Sequence, residues 1–174
     1  MKRLLILFTF IITMVFSNTA TAANLRYKEF PIQVYIAYSP HKATVKQAFS
    51  TWTNMTRIAK FQYTQKQEEA QIIVDFETQP AVNKGEAYVA GYNTNYPADS
   101  NYIKKSKIVI KSNIPGRNIN AYDRQIYMVA LHEIGHALGL AHSNNSNDTM
   151  YYMQNGQLML STNDINAFKK LYGN

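Results

Sequence analysis

The stretch His132-Glu133-Ile134-Gly135-His136-Ala137-Leu138-Gly139-Leu140-Ala141-His142 constrains this chain more tightly than any other. On an α-helix each residue advances about 100°, so His132 and His136 lie about 40° apart on one face, one turn apart. Both imidazoles can then reach one ion. Glu133 falls about 60° beyond His136, where it can reach a water on that ion without binding the ion itself. Two imidazoles with an open position suit zinc, and the carboxylate stands where a general base belongs. A third ligand is needed. In a continued helix His142 would lie about 80° off the His132 direction and roughly 15 Å along the axis. His142 therefore serves only if the helix stops abruptly. Gly139 provides the means, because glycine takes the left-handed conformation that ends a helix and reverses the chain. On this reading Gly139→Val disrupts the turn, while Gly139→Asn is milder, since Asn tolerates that conformation.

The spacing is specific. The HExxH part recurs by chance in about one chain of this size in a few hundred, and adding Gly139 and His142 lowers that by roughly a further thousandfold. Three of the chain's four His fall within these eleven residues. The chain has no cysteine, so disulfides, thiolate ligands and a cysteine nucleophile are excluded, and a metal has to be held by His and carboxylates. His41, the fourth histidine, has no ligand partner nearby in sequence and is expected at the surface. Asp99 and Glu86 alone would make a poor calcium cage, so the expectation is one catalytic zinc ion, without structural calcium or a second zinc.

The N-terminus reads as a targeting segment. Met1-Lys2-Arg3 is basic, Leu4 to Phe16 is apolar apart from Thr9 and Thr13, and Ala20 and Ala22 frame a cleavage site before Ala23. Residues 1–22 are thus expected to be a signal peptide and 23–174 a single catalytic domain, secreted to the extracellular space or the cell surface. Losing Lys2 and Arg3 leaves 16 of the 18 basic residues against 11 acidic ones, a net +5 over 152 residues. That charge serves solubility and allows weak attachment to an anionic cell surface. The basic residues are scattered, so no nucleic-acid partner is expected. The chain is expected to be a monomer. Abundant Asn, Lys, Ile and Tyr, with cysteine absent from an exported chain, point to a bacterium.

Hydrophobic patterning predicts an α+β fold. Ile32 to Ile36 alternates like a strand. Ser39-Pro40 reads as an N-cap with proline in the first turn, followed by a helix with Val45, Ala48, Phe49, Trp52 and Met55 on one face. Phe61 to Thr64, Gln71 to Glu77, Ala87 to Tyr92 and Lys107 to Ser112 read as strands, and polar Asn93 to Asn101 as a surface loop. Tyr122 to Leu138 is the strongest helix. A last helix starts at Ser161 or Thr162 and runs to Leu171, with Asp164 in its first turn.

With a methionine downstream, HExxHxxGxxH is the metzincin pattern, and the chain resembles the matrixin branch, the family of the matrix metalloproteinases. Ser143 follows the third His and Met150 lies eight residues after it, as in matrixins. Leu160-Ser161-Thr162-Asn163-Asp164-Ile165 and Leu171-Tyr172-Gly173 resemble the family's C-terminal helix. Ala48-Phe49-Ser50-Thr51-Trp52, Phe61 and Ala70-Gln71-Ile72 resemble its first helix and following strands. The resemblance implies a zincin-like fold: a twisted, mixed five-stranded sheet with an antiparallel edge strand, and three helices. It implies a zinc metalloendopeptidase with His132, His136 and His142 on the metal and Glu133 as general base. Gly139 and Met150 support the site, Met150 by packing as a hydrophobic base beneath it. A peptide substrate would lie extended along the edge strand, beside Val89 and Ala90, with Met128 lining the primed-side pocket. Tyr152 stands where astacins and serralysins place a tyrosine near the zinc; the favoured reading here is a pocket wall.

The departures are as definite. Matrixins usually carry a propeptide whose cysteine caps the zinc, and this chain has no cysteine to do so. The family's structural zinc ligands and acid-rich calcium loops have no counterpart, and Asn163 stands where many matrixins have an acid. Two alternatives remain: a non-catalytic surface binding protein stabilised by zinc, and a zinc amidase acting on cell-wall peptides.

Overall fold

The computed structural model describes residues 25–78, 89–99, 101–111, 119–153 and 155–173. The segment 1–22, Glu86 and Ala87 lie outside the described residues. Ile32, Val34 and Ile36 alternate inward to make strand β1 (Ile32–Ile36). Val45, Ala48, Phe49 and Trp52 recur at helical spacing and form the buried stripe of α1 (Lys42–Thr56). That helix begins later than the Ser-Pro pair predicts. The Ser39 hydroxyl caps the preceding turn instead, accepting from the His41 N–H at 3.2 Å.

Strands β2 (Phe61–Tyr63) and β3 (Ile72–Glu77) follow, then β4 (Gly91–Pro97), β5 (Ile103–Lys111), α2 (Ile119–Ala137) and α3 (Thr162–Tyr172). The five strands form one sheet in the order β2-β1-β3-β5-β4. Every pairing is parallel except that of β4 with β5. The α+β class, the mixed sheet with an antiparallel edge strand and the three helices therefore stand as expected. Among the described residues no helix is long and apolar enough to cross a membrane.

Three expectations need correction. Asn93 to Pro97 is strand rather than loop, and Val89 and Ala90 precede the strand instead of lying within it. The cause is that β4 carries its polar residues on the half-buried side, at Asn93 and Asn95, so its pattern looks like that of a loop. Strand β5 likewise begins at Ile103, because the buried Ser106 hydroxyl finds an acceptor inside. His41, expected at the surface, has a side chain only 15% exposed, and its Nδ1 lies 2.7 Å from Oδ1 of Asp123. The partner is 82 residues away in sequence, on α2.

The core lies between the sheet and the helices. Ile32, Val34, Ile72, Val74, Ile108 and Ile110 from the strands meet Phe49, Trp52, Ile126, Ala130, Leu131, Ile134 and Phe168. Trp52 joins α1 to α2 by packing and by a hydrogen bond from its Nε1 to the Leu131 carbonyl, 2.9 Å away. Its ring also meets that of Phe168 on α3, with centroids 5.9 Å apart. Trp52→Ala removes contacts with two helices at once and should cost about 3–5 kcal/mol, measured by denaturant unfolding. A loss below about 1 kcal/mol would show that Trp52 is not central to this packing.

Candidate metal centre

Leu138 donates to the Ile134 carbonyl as the last regular bond of α2. The Gly139 N–H then reaches back to the His136 carbonyl at 2.9 Å, and the Leu140 N–H to the Gly135 carbonyl at 3.0 Å. These are the two bonds of a Schellman motif, with Gly139 at φ +94° as the left-handed residue. The chain turns back, and His142 comes beside the two helical histidines.

The result is a convergence of three ring nitrogens. Nε2 of His136 lies 3.0 Å from Nε2 of His132 and 3.0 Å from Nε2 of His142. The other ring nitrogens fix the tautomers. His132 Nδ1 is 2.7 Å from the Thr149 carbonyl and His136 Nδ1 is 2.8 Å from the Leu140 carbonyl. A carbonyl only accepts, so both Nδ1 atoms carry the proton and both Nε2 atoms present lone pairs. Burial holds all three imidazoles below the usual histidine range, His136 down to about 3, so they are neutral near pH 7. Neutral nitrogen lone pairs facing one another at this distance repel unless a cation lies between them. The donor set is that of a borderline-soft divalent metal, and zinc fits it.

Glu133 lies on the same stretch of α2 and is 7% exposed. Its Oε2 is buried with no hydrogen-bond partner among the described residues. Burial pushes its carboxyl up to about 8. An unpaired buried carboxyl is costly to keep, and perturbed groups of this kind mark functional sites.

Two glycines set the clearances. A Cβ on Gly135 would lie 2.2 Å from Met150 Sδ and 3.1 Å from the Trp52 ring. Met150 therefore packs directly against the helix, in space that only glycine leaves. A Cβ on Gly91 would lie 2.6 Å from Val129 Cγ1 and 3.3 Å from Glu133 Cγ, so β4 passes close beside the carboxyl-bearing turn. Neither role was read from the sequence. A glycine in a helix interior, which costs about 1 kcal/mol, is the signal that could have found the first.

Asp164 supports the site from α3. It caps its own helix with Ser161 and is buried. Its Oδ2 accepts from the Thr149 N–H at 2.8 Å and its Oδ1 from the Met150 N–H at 3.1 Å. The Thr149 peptide thus links Asp164 to His132. The remaining residues singled out in the sequence stand further off in the bonding. Tyr152 packs its ring on Tyr151, with centroids 4.5 Å apart, and is 43% exposed. Met128 is half-buried against the core. Val89 is 60% exposed, and the Ala90 carbonyl accepts from the Lys111 N–H.

Comparison with known proteins gives a family match. A family model described as Matrixin matches residues 18–173. The chain is 30% identical to Metalloendoproteinase 1 of Glycine max over 172 positions, covering 85% of this chain and 53% of that protein. It is 24% identical to Interstitial collagenase B of Mus musculus over 173 positions, covering 88% of this chain and 33% of that protein. Over 56 positions, 31% of this chain and 12% of the relative, it is 45% identical to Interstitial collagenase of Bos taurus. The chain thus spans about half the length of the first of these relatives, and less of the others.

The space around Gly139 is tighter than the local sequence indicates. A Cβ there would lie 1.8 Å from the carbonyl oxygen of Leu25, so the obstacle is backbone as well as φ. Gly139→Asn should therefore be nearly as damaging as Gly139→Val, with both losing zinc affinity by tenfold or more in chelator competition and both unfolding earlier. Parent-like affinity in the Asn variant would show that Leu25 moves aside.

Proposed function

The chain belongs to the matrixin family, and on that premise we propose that it is a secreted zinc metalloendopeptidase that hydrolyses peptide bonds with Glu133 as general base. The observation that carries this reading is the convergence of the three Nε2 atoms beside a buried carboxyl whose Oε2 has no partner among the described residues. His132, His136 and His142 would hold one zinc ion. Zinc bound there supplies a Lewis acid for the scissile carbonyl and lowers the pKa of a water.

The chain's own residues supply the rest. Glu133 accepts the proton of the attacking water at its unpartnered oxygen and returns it to the leaving amine. Its raised proton affinity suits a group that has to hold a proton briefly and then give it up. The Thr149 and Leu140 carbonyls keep the His132 and His136 rings in the tautomer that presents Nε2. Among the described residues strand β4 pairs with β5 alone, which leaves its other edge for an extended peptide that would add a strand through main-chain hydrogen bonds. Met128 and Tyr152 are proposed as pocket walls beside that peptide.

The same reading takes residues 1–22 as the export signal, a single zinc ion as the metal complement, and protein or peptide as the substrate. A catalytic role for Glu133 separates it from a zinc site that merely stabilises the fold, which needs no base.

Glu133→Ala should keep zinc, and keep or raise stability, because it removes an unpaired buried carboxyl. Hydrolysis of quenched peptides should fall by about 10² to 10⁴. Zinc content, the unfolding midpoint and peptide turnover measured on one preparation check this. A zinc-loaded variant with near-parent turnover would contradict the assignment.

A further inference from the structure

Strand β4 carries its residues the wrong way round for an amphipathic strand. Tyr92, Thr94 and Tyr96 are exposed, while Gly91, Asn93 and Asn95 are half-buried on the side that meets α2. Asparagine is disfavoured in strands, and a buried amide has to find partners. Asn95 finds three. Its Nδ2 donates to the His136 carbonyl at 2.8 Å. Its Oδ1 accepts from Asn93 Nδ2 at 3.0 Å and from the Ser106 hydroxyl on β5.

The His136 carbonyl also receives the Gly139 N–H, and the His136 ring is tied through Nδ1 to the Leu140 carbonyl beyond the turn. Ring and backbone of this histidine are thus held in one closed set of hydrogen bonds, and Asn95 is its link to the sheet. Packing alone would be met by an apolar side chain at 95. A buried amide network is exacting, since each member depends on the others, and Asn93 Oδ1 is left buried without a partner among the described residues.

We propose that Asn95 is a positioning residue that couples the edge strand to the metal centre. Metal binding, by fixing His136, stiffens β4 through Asn95. By linkage, a peptide paired to β4 holds His136 for the metal. This rests on reading the three histidines as a zinc site.

The test is amide hydrogen exchange over Gly91–Pro97 in the full chain, zinc-free and zinc-loaded, with zinc affinity measured by chelator competition. In the parent, zinc should slow exchange in β4 by about tenfold or more. Asn95→Ala should cut that zinc-dependent difference below about threefold and weaken zinc binding by about fivefold, the loss of one hydrogen bond. Asn95→Asp keeps the shape and both acceptor contacts but has no donor for the His136 carbonyl; it should do the same, and it decides the matter if the alanine variant does not fold. Asn93→Ala should retain the difference, because the link runs through Asn95. The proposal is overturned if either Asn95 variant keeps the parent's zinc-dependent protection. It is equally overturned if protection falls by the same factor with and without zinc, which is what a merely structural role would give. No hydrolysis is read in this experiment. A parent that binds zinc and protects β4 but cleaves no peptide would count against the proposed function and leave the coupling intact.

Discussion

A chain leaving an α-helix keeps advancing along the axis unless one residue turns it back, and here that residue is Gly139. Its left-handed φ and the two Schellman bonds bring His142 to within 3.0 Å of His136, ring nitrogen to ring nitrogen. The Leu25 carbonyl occupies the place a side chain would take at 139. The reversal is therefore locked from outside by the segment that precedes β1. Its N–H bonds also use carbonyls of the last helical turn that would otherwise be unpaired.

The rest of the fold is arranged around the buried end of α2. Its last carbonyls, cut off from water, find partners on three other elements. Asn95 of β4 serves His136, and the Tyr172 hydroxyl of α3 serves Leu138 at 2.8 Å. The Ser106 hydroxyl of β5 lies 3.5 Å from the Ala137 carbonyl, at the limit of such a bond. Met150 fills the gap under Gly135, and Asp164 holds the backbone on either side of the Thr149–Met150 peptide. A helix that ends inside the protein can stop abruptly only because its polar end is met this way. The same contacts determine where the three histidines point.

Much of this was legible in the sequence. The period of 3.6 placed Trp52 and Phe49 in the core, alternation found β1, and Ser161 with Asp164 marked the start of α3. The histidine spacing was enough to require both the helix and its break. What could not be read depends on neighbours brought together only by folding. Polar Asn93 and Asn95 looked like loop because Asn95 finds its partners on β5 and α2, while Asn93 donates to Asn95. His41 looked solvent-exposed because Asp123 is remote in sequence. The conformation of Gly139 was foreseen, but the crowding of a side chain there was not, since nothing in the local sequence announces the Leu25 carbonyl. The role of Gly135 was missed because its clearance is defined by Met150 and Trp52.

The central claim is that the reversal at Gly139 makes His142 an equal third ligand with His132 and His136. X-ray absorption at the zinc edge on the zinc-loaded chain, beside a His142→Ala variant, tests it most directly. The account predicts three imidazole nitrogens at about 2.0–2.1 Å in the parent, with a light non-imidazole atom completing the shell. In the variant one imidazole should be lost and the other two kept. An unchanged imidazole count after removal of His142, or a parent shell with only two imidazoles, would contradict it.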